Sequence, residues 1–217
     1  MTKVKICGIT NIEDARTAIS LGADAVGFLV GKVHPSTSSF LLPEQVAEIV
    51  SCLPPLCSTV LVTHLSRPEE LIPMLKISQV STVQLHGDTK PAEALEIKTQ
   101  LPFLKTYKVV HVFDDSAIQE AGQYIGSVDA IILDTAFKAT GQVGGTGKTH
   151  DWSISKKIVH SVPLPIILAG GLNPENVVQA IHLVRPYAVD VNSGVSNPDG
   201  TKVREKLRLF ISRAKAQ

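Results

Sequence analysis

The chain has 217 residues, 44% of them hydrophobic, and a formal net charge of +1. A chain of that length buries roughly 70% of the surface its unfolded form exposes, which suffices for one core, and so small a net charge gives no general electrostatic case for nucleic acid. No apolar run approaches the roughly 20 residues of a spanning helix, no signal-peptide pattern opens the chain, and Cys7, Cys52 and Cys57 form neither a zinc spacing nor a disulfide framework, so a protein of the reducing cytoplasm, away from membranes, is expected.

Short apolar runs alternate with helical patterns from the first residues on. A strand at residues 4–6 precedes a helix for which Thr10 and Glu13 make a capping box and Ala15, Ala18 and Ile19 an apolar face. A strand at 25–30 leads to a helix entered at Pro43, with Val46, Ala47, Ile49 and Val50 on its buried side. A strand at 59–62 leads to a helix begun by Ser66 and Glu69, and one at 82–85 to a helix over 91–99. Strands at 106–110 and 130–133 are followed by helices at 115–124 and 151–160. The strand at 165–168 precedes a helix announced by Asn173 and Pro174, and the strand at 188–191 a helix over 201–214.

Richness in Val, Ile and Leu suits parallel strands covered by helices on the outside. Eight such units without a change of composition predict a single-domain α/β fold, a (β/α)8 TIM barrel over residues 1–217, with an open doubly wound sheet as the rival. Closure would carry the strand ends to one rim, where the reacting groups of such barrels gather. The apolar helix faces fit inside the barrel and leave monomer and homodimer equally open.

Glycine-rich passages follow the sixth, seventh and eighth strands: Gly144-Gly145-Thr146-Gly147, Ala169-Gly170-Gly171-Leu172 and Asn192-Ser193-Gly194-Val195. Each alone reads as a turn, but together on one rim they point to backbone amides around a phosphate, and hence to a phosphorylated small molecule. The first has neither Walker nor dinucleotide spacing.

Cys7 ends the first strand beside Gly8 and reads either as a small core residue or as a thiol exposed near helix-end amides and able to act as a base. Asp134 ends the sixth strand and reads either as a loop organiser or as a proton donor whose proton affinity an enclosed site would raise. Asp190 reads as an organiser of Ser193 and Gly194. Gln84 and His86 are candidates to position a substrate, and Lys108 to meet an anion. Lys3 and Lys5 read as packing or solvent-facing residues of the bottom rim, the nearer one able to favour a Cys7 thiolate. His34, His64, His111, His150, His160 and His182 form no metal cluster and read as structural or surface residues.

The order of these segments resembles the phosphoribosylanthranilate isomerase family of tryptophan biosynthesis across essentially the whole chain. The resemblance rests on Lys5-Ile6-Cys7-Gly8-Ile9-Thr10, Gly22-Ala23-Asp24-Ala25-Val26-Gly27-Phe28, Gln84-Leu85-His86-Gly87 and Leu133-Asp134-Thr135. It continues in the Gly144 to Gly147 segment with Asp151-Trp152, in Leu168-Ala169-Gly170-Gly171-Leu172-Asn173-Pro174-Glu175-Asn176 and in Asp190-Val191-Asn192-Ser193-Gly194-Val195. It implies an Amadori rearrangement with Asp134 as acid at the furanose oxygen, Cys7 as base at C2, and amides around Gly145, Gly170, Gly171, Ser193 and Gly194 holding phosphate. No metal or organic cofactor follows from that chemistry. Where the family presents Ser-Pro-Arg, with the arginine on the anthranilate carboxylate, this chain has Lys32-Val33-His34-Pro35-Ser36-Thr37-Ser38-Ser39-Phe40 and no arginine. Lys32, His34 or Lys108 would have to compensate, and a related phosphoribosylamine isomerase or a noncatalytic phosphosugar-binding protein are the alternatives. Ser196 and Val203 also stand where the family is often acidic.

Overall fold

A computed structural model describes residues 1–31, 40–137, 142–143 and 149–217. Among these described residues ten strands form in chain order: β1 (Lys3–Ile6), β2 (Ala25–Val30), β3 (Phe40–Leu41), β4 (Ser58–Thr63), β5 (Thr82–Leu85), β6 (Lys105–Val112), β7 (Ala130–Phe137), β8 (Gln142–Val143), β9 (Ile166–Leu168) and β10 (Ala188–Val191). Eight of them pair in parallel in the order β1, β10, β9, β7, β6, β5, β4, β2, and β2 returns to β1, so the sheet closes on itself. That closure decides for the barrel over the open sheet. The short β3 extends β2 in parallel, and β8 pairs antiparallel with β7.

The helices are α1 (Ile12–Ser20), α2 (Pro43–Ser51), α3 (Pro68–Ser78), α4 (Pro91–Gln100), α5 (Ser116–Gln123), α6 (Trp152–Ser161), α7 (Val177–Val184) and α8 (Arg204–Lys215). Among the described residues no helix is long and apolar enough to cross a membrane. Alternation along each strand sends one set of residues outward to the helices and the other into the barrel. The outward set, with Ile6, Val26, Phe28, Leu61, Leu85, Ile131 and Leu133, joins the helix faces in the main core. The inward set makes two smaller apolar clusters, one of Val109, Ala130, Ile132, Ile167, Ala169 and Ala188, the other of Cys7, Val60 and Val62.

Local chemistry moves some boundaries. The first helix is capped by Asn11, whose side chain accepts from the Asp14 amide at 2.8 Å, rather than by Thr10. Pro68 opens α3 after Arg67, displacing the start expected at Ser66, because proline lacks the amide that the first turn leaves unpaired anyway. Asn173 accepts from the amides of Glu175 and Asn176 in a turn that precedes α7, so its capping signal falls one turn early. β7 runs past Asp134 because His111 and Val112 of the long β6 continue to pair with Asp134 and Thr135.

Two carboxylates staple the N-terminal rim. Asp24 accepts from the Val4 amide at 2.8 Å and from Lys215 at 2.8 Å, and Asp129 accepts from the Thr106 amide at 2.9 Å and from Lys98 at 2.9 Å. Burial acts to raise both carboxyls, but the lysines and amides outweigh it and hold both below the ordinary range. A depressed folded-state value contributes stability above the unfolded carboxyl pKa, lost as pH falls through the folded one. The urea midpoint is therefore expected to drop between neutral and acid pH, and to drop less in an Asp24→Asn, Asp129→Asn double variant.

Candidate active site

The C-terminal mouth of the barrel holds an inward-facing thiol, Cys7, and an inward-facing carboxyl, Asp134. Cys7, directly after β1, is 7% exposed and packs beside Val60 and Val62 of β4. Burial pushes its thiol up, and Lys5 is the first of the groups pulling it back down. The sulfur is thus buried rather than exposed, and the nearby positive charge comes from a side chain.

Lys5 is itself 3% exposed inside the barrel, its Nζ 2.7 Å from Asp190 Oδ2 on β10. Burial disfavours its charge, yet Asp190 and Cys7 more than compensate and the ammonium is held above its ordinary pKa. The solvent-facing expectation for Lys5 is therefore overturned; its place on the same strand face as Cys7, two residues on, was the signal. The expectation for Asp190 is overturned as well. Its side chain meets Lys5, its register partner on the adjacent β1, instead of turning along the loop to Ser193 and Gly194.

Asp134 stands on β7 with Oδ1 accepting from the Thr135 amide at 2.7 Å and Oδ2 3.3 Å from His86 Nε2. Burial acts to raise its pKa, but His86 and the Thr135 amide prevail and hold the carboxyl below its usual range. That reverses the expected rise, because sequence gave no sign that an imidazole faces the carboxyl. His86 stacks with His64 at 4.4 Å and with His111 at 5.3 Å between ring centroids. Burial pushes His64 and His111 down to about 4. The same holds for His150, which meets Thr135 Oγ1 at 3.0 Å and Ser155 Oγ at 2.6 Å. These three rings are neutral near pH 7. Sequence reasoning passed over His64 and His111, although each continues the inward alternation of its strand: Val60, Val62, His64 and Tyr107, Val109, His111.

Gln84 lies inside the barrel two residues below His86, its Oε1 buried without a partner among the described residues. Lys108 does not face the mouth. It shares the outward register of Leu85 and Ile131, donates to the Gly87 carbonyl at 2.6 Å and sits 5.5 Å from the Tyr124 ring centroid, so it braces the loop after β5.

Beside Asp134, Gly170 and Gly171 have φ of +80° and +67°, a backbone that L side chains rarely adopt. A Cβ on Gly170 would lie 2.2 Å from Thr135 Oγ1 and 2.9 Å from Asp134 Oδ1, so only glycine lets this loop pass against the carboxyl. A Cβ on Gly194 would meet the Leu172 carbonyl at 2.1 Å, which shows how closely the loops after β9 and β10 approach. The amides of Gly170, Gly171, Ser193 and Gly194 find no backbone acceptor among the described residues. Lys202 closes the last loop by donating to Asn192 Oδ1 at 2.9 Å and Ser196 Oγ at 2.8 Å. Gly145, Lys32 and His34 lie outside the described residues. Among those described, no group of three or more His, Cys, Asp or Glu could hold a metal ion.

Residues 4–213 match the family described as N-(5'phosphoribosyl)anthranilate (PRA) isomerase. The chain belongs to the phosphoribosylanthranilate isomerase family. It is similar to the N-(5'-phosphoribosyl)anthranilate isomerase of Methanocella arvoryzae, 43% identical over 99% of both chains. Among solved structures it is similar to the phosphoribosyl anthranilate isomerase of Thermotoga maritima, with a TM-score of 0.87 and 37% identity over 100% of both chains. A further phosphoribosyl anthranilate isomerase, solved in complex with reduced 1-(o-carboxyphenylamino)-1-deoxyribulose 5-phosphate, matches with a TM-score of 0.84 and 35% identity over 100% of both chains. As a phosphoribosylanthranilate isomerase, the chain departs from the family pattern chiefly in the segment without arginine. Its other departures are accommodated locally: Ser196 accepts from Lys202, and the Val203 amide bonds the Val195 carbonyl at 2.9 Å.

Proposed function

We propose that this chain converts N-(5-phosphoribosyl)anthranilate to 1-(2-carboxyphenylamino)-1-deoxyribulose 5-phosphate, an Amadori rearrangement of tryptophan biosynthesis. The observation that carries the reading is an inward thiol and an inward carboxyl on different strands of one mouth, with open amides on the adjoining rim. Phosphate docks on the amides of Gly170, Gly171, Ser193 and Gly194, and on Gly145, which fixes the sugar between the reactive groups. A proton held between His86 and Asp134 passes from the carboxyl to the furanose oxygen as the C1–O bond breaks and the amine lone pair forms a protonated imine. Substrate covering the mouth strips water from Asp134, which raises its proton affinity at that step. The Cys7 thiolate takes the C2 proton, the C–H electrons form the enolamine, and the imine electrons return to nitrogen. Tautomerisation then gives the ketose. No metal or organic cofactor enters any of these steps.

His86 and Gln84 position the sugar from β5, and Asp190 contributes from below by holding Lys5. With Lys108 turned to the helices, the aromatic carboxylate falls to the segment of Lys32 and His34. The lack of an arginine there favours one second reading, a related phosphoribosylamine isomerase, which would process a substrate without that carboxylate at the higher kcat/KM. Purified protein given freshly formed phosphoribosylanthranilate should yield the ketose identified by mass; release of anthranilate alone would sink the proposal. Gly194→Ala, which forces the two loops apart, is expected to weaken binding of the reduced product about tenfold, as for loss of one charge-assisted hydrogen bond. Calorimetric titration with equal affinity in both proteins would contradict that phosphate site.

A further inference from the structure

Lys5 and Cys7 stand two residues apart on β1 and face the same interior. A Cβ on Gly27 of the adjacent β2 would lie 3.1 Å from Cys7 Sγ and 3.1 Å from Lys5 Nζ. Glycine there leaves the space that sulfur and ammonium share. From the other side Asp190 Oδ2 holds the ammonium at 2.7 Å, in a pair whose side chains are 3% and 7% exposed. Lys202, on the loop before α8, is the further cation acting on the thiol, and its own pKa is lowered to about 8 by burial. The charged groups facing Cys7 are thus Lys5, Asp190 and Lys202, while β4 presents Val60 and Val62.

We propose that Lys5, braced by Asp190, is a positioning residue that keeps the Cys7 sulfur ionisable within an otherwise apolar wall. The proposal rests on the reading of Cys7 as the base. A thiol among valines would stay protonated, since burial penalises the anion, and a fixed ammonium offsets part of that penalty. Asp190 alone would repel the thiolate; bound to Lys5 it fixes where the positive charge sits. During turnover Lys5 keeps its protons, and the proton leaving substrate carbon ends on sulfur.

The test uses a Cys52→Ser, Cys57→Ser background, so that ultraviolet thiolate absorbance reports Cys7 alone. In Lys5→Met the Cys7 titration midpoint is expected to rise by roughly one pH unit or more, and the basic limb of the kcat/KM profile to move with it. Lys5→Arg should restore both toward the parent. A Lys5→Met, Asp190→Leu double variant removes the pair together, leaves no lone buried charge, and should also show the rise. In the unsubstituted protein, the Lys5 Cε resonance should shift as the thiol ionises and stay flat in Cys7→Ser, a readout independent of how any Lys5 variant folds. An unmoved midpoint in a folded variant, or a resonance flat in both proteins, overturns the proposal. Should Cys7→Ser keep full turnover, the base reading fails instead, whatever the titrations show.

Discussion

Asp134→Asn is expected to lower kcat by about 10²- to 10⁴-fold, the range of a lost general acid, with KM little changed. The amide keeps the size of the carboxyl and can still accept from the Thr135 amide that Oδ1 binds at 2.7 Å, so Thr135 of β7 need not move. What it cannot do is share a proton with His86, 3.3 Å away, and deliver it to a ring oxygen. Because the carboxyl's pKa is held low, its ionisation falls on the acidic side of the pH–rate profile, and that limb should change shape in the variant rather than merely shift. Steady-state kinetics across pH check this, and unchanged kcat would remove Asp134 from the proton path.

Cys7→Ser should cost about 10³-fold or more in kcat, within the upper range for loss of a proton-transfer group. A hydroxyl holds its proton far more tightly than a thiol, and burial, which already pushes the thiol up, penalises an alkoxide still more. Stability should hardly change, since oxygen is smaller than sulfur and the neighbouring Val60 and Val62 are undisturbed. Binding of the reduced product should survive as well, because the amides proposed to hold phosphate lie on other loops. Loss of binding in step with loss of rate would instead mark Cys7 as a packing residue.

The barrel was legible because most strands are compact apolar runs and several helices carry a start signal of their own. At β2, β5 and β10 the expected and observed spans coincide. Closure was an inference from count, since no local residue encodes the pairing of β1 with both β2 and β10. Cys7 and Asp134 stood out by position at strand ends, but their surroundings depend on side chains that neighbouring strands bring beside them. Alternation with Cys7 turns Lys5 inward, but its partner Asp190 lies 185 residues away, and only the pairing of β1 with β10 sets them side by side. Lys108 misled for a complementary reason: a lysine near a strand end reads as a rim cation until register assigns it to the helix side. His64 and His111 looked solitary and His86 read as a substrate-positioning residue, and only pairing of β4, β5 and β6 gathers the three beside Asp134.

The most direct test of a thiol and a carboxyl working by proton transfer is turnover of phosphoribosylanthranilate in heavy water, with the product examined by mass spectrometry and NMR. The account predicts the ketose carrying solvent deuterium at C1, because the C2 proton leaves to Cys7 and the enolamine is reprotonated from outside the substrate. Ketose formed without deuterium, as a direct hydride shift would give, or no ketose from a folded protein, would contradict it.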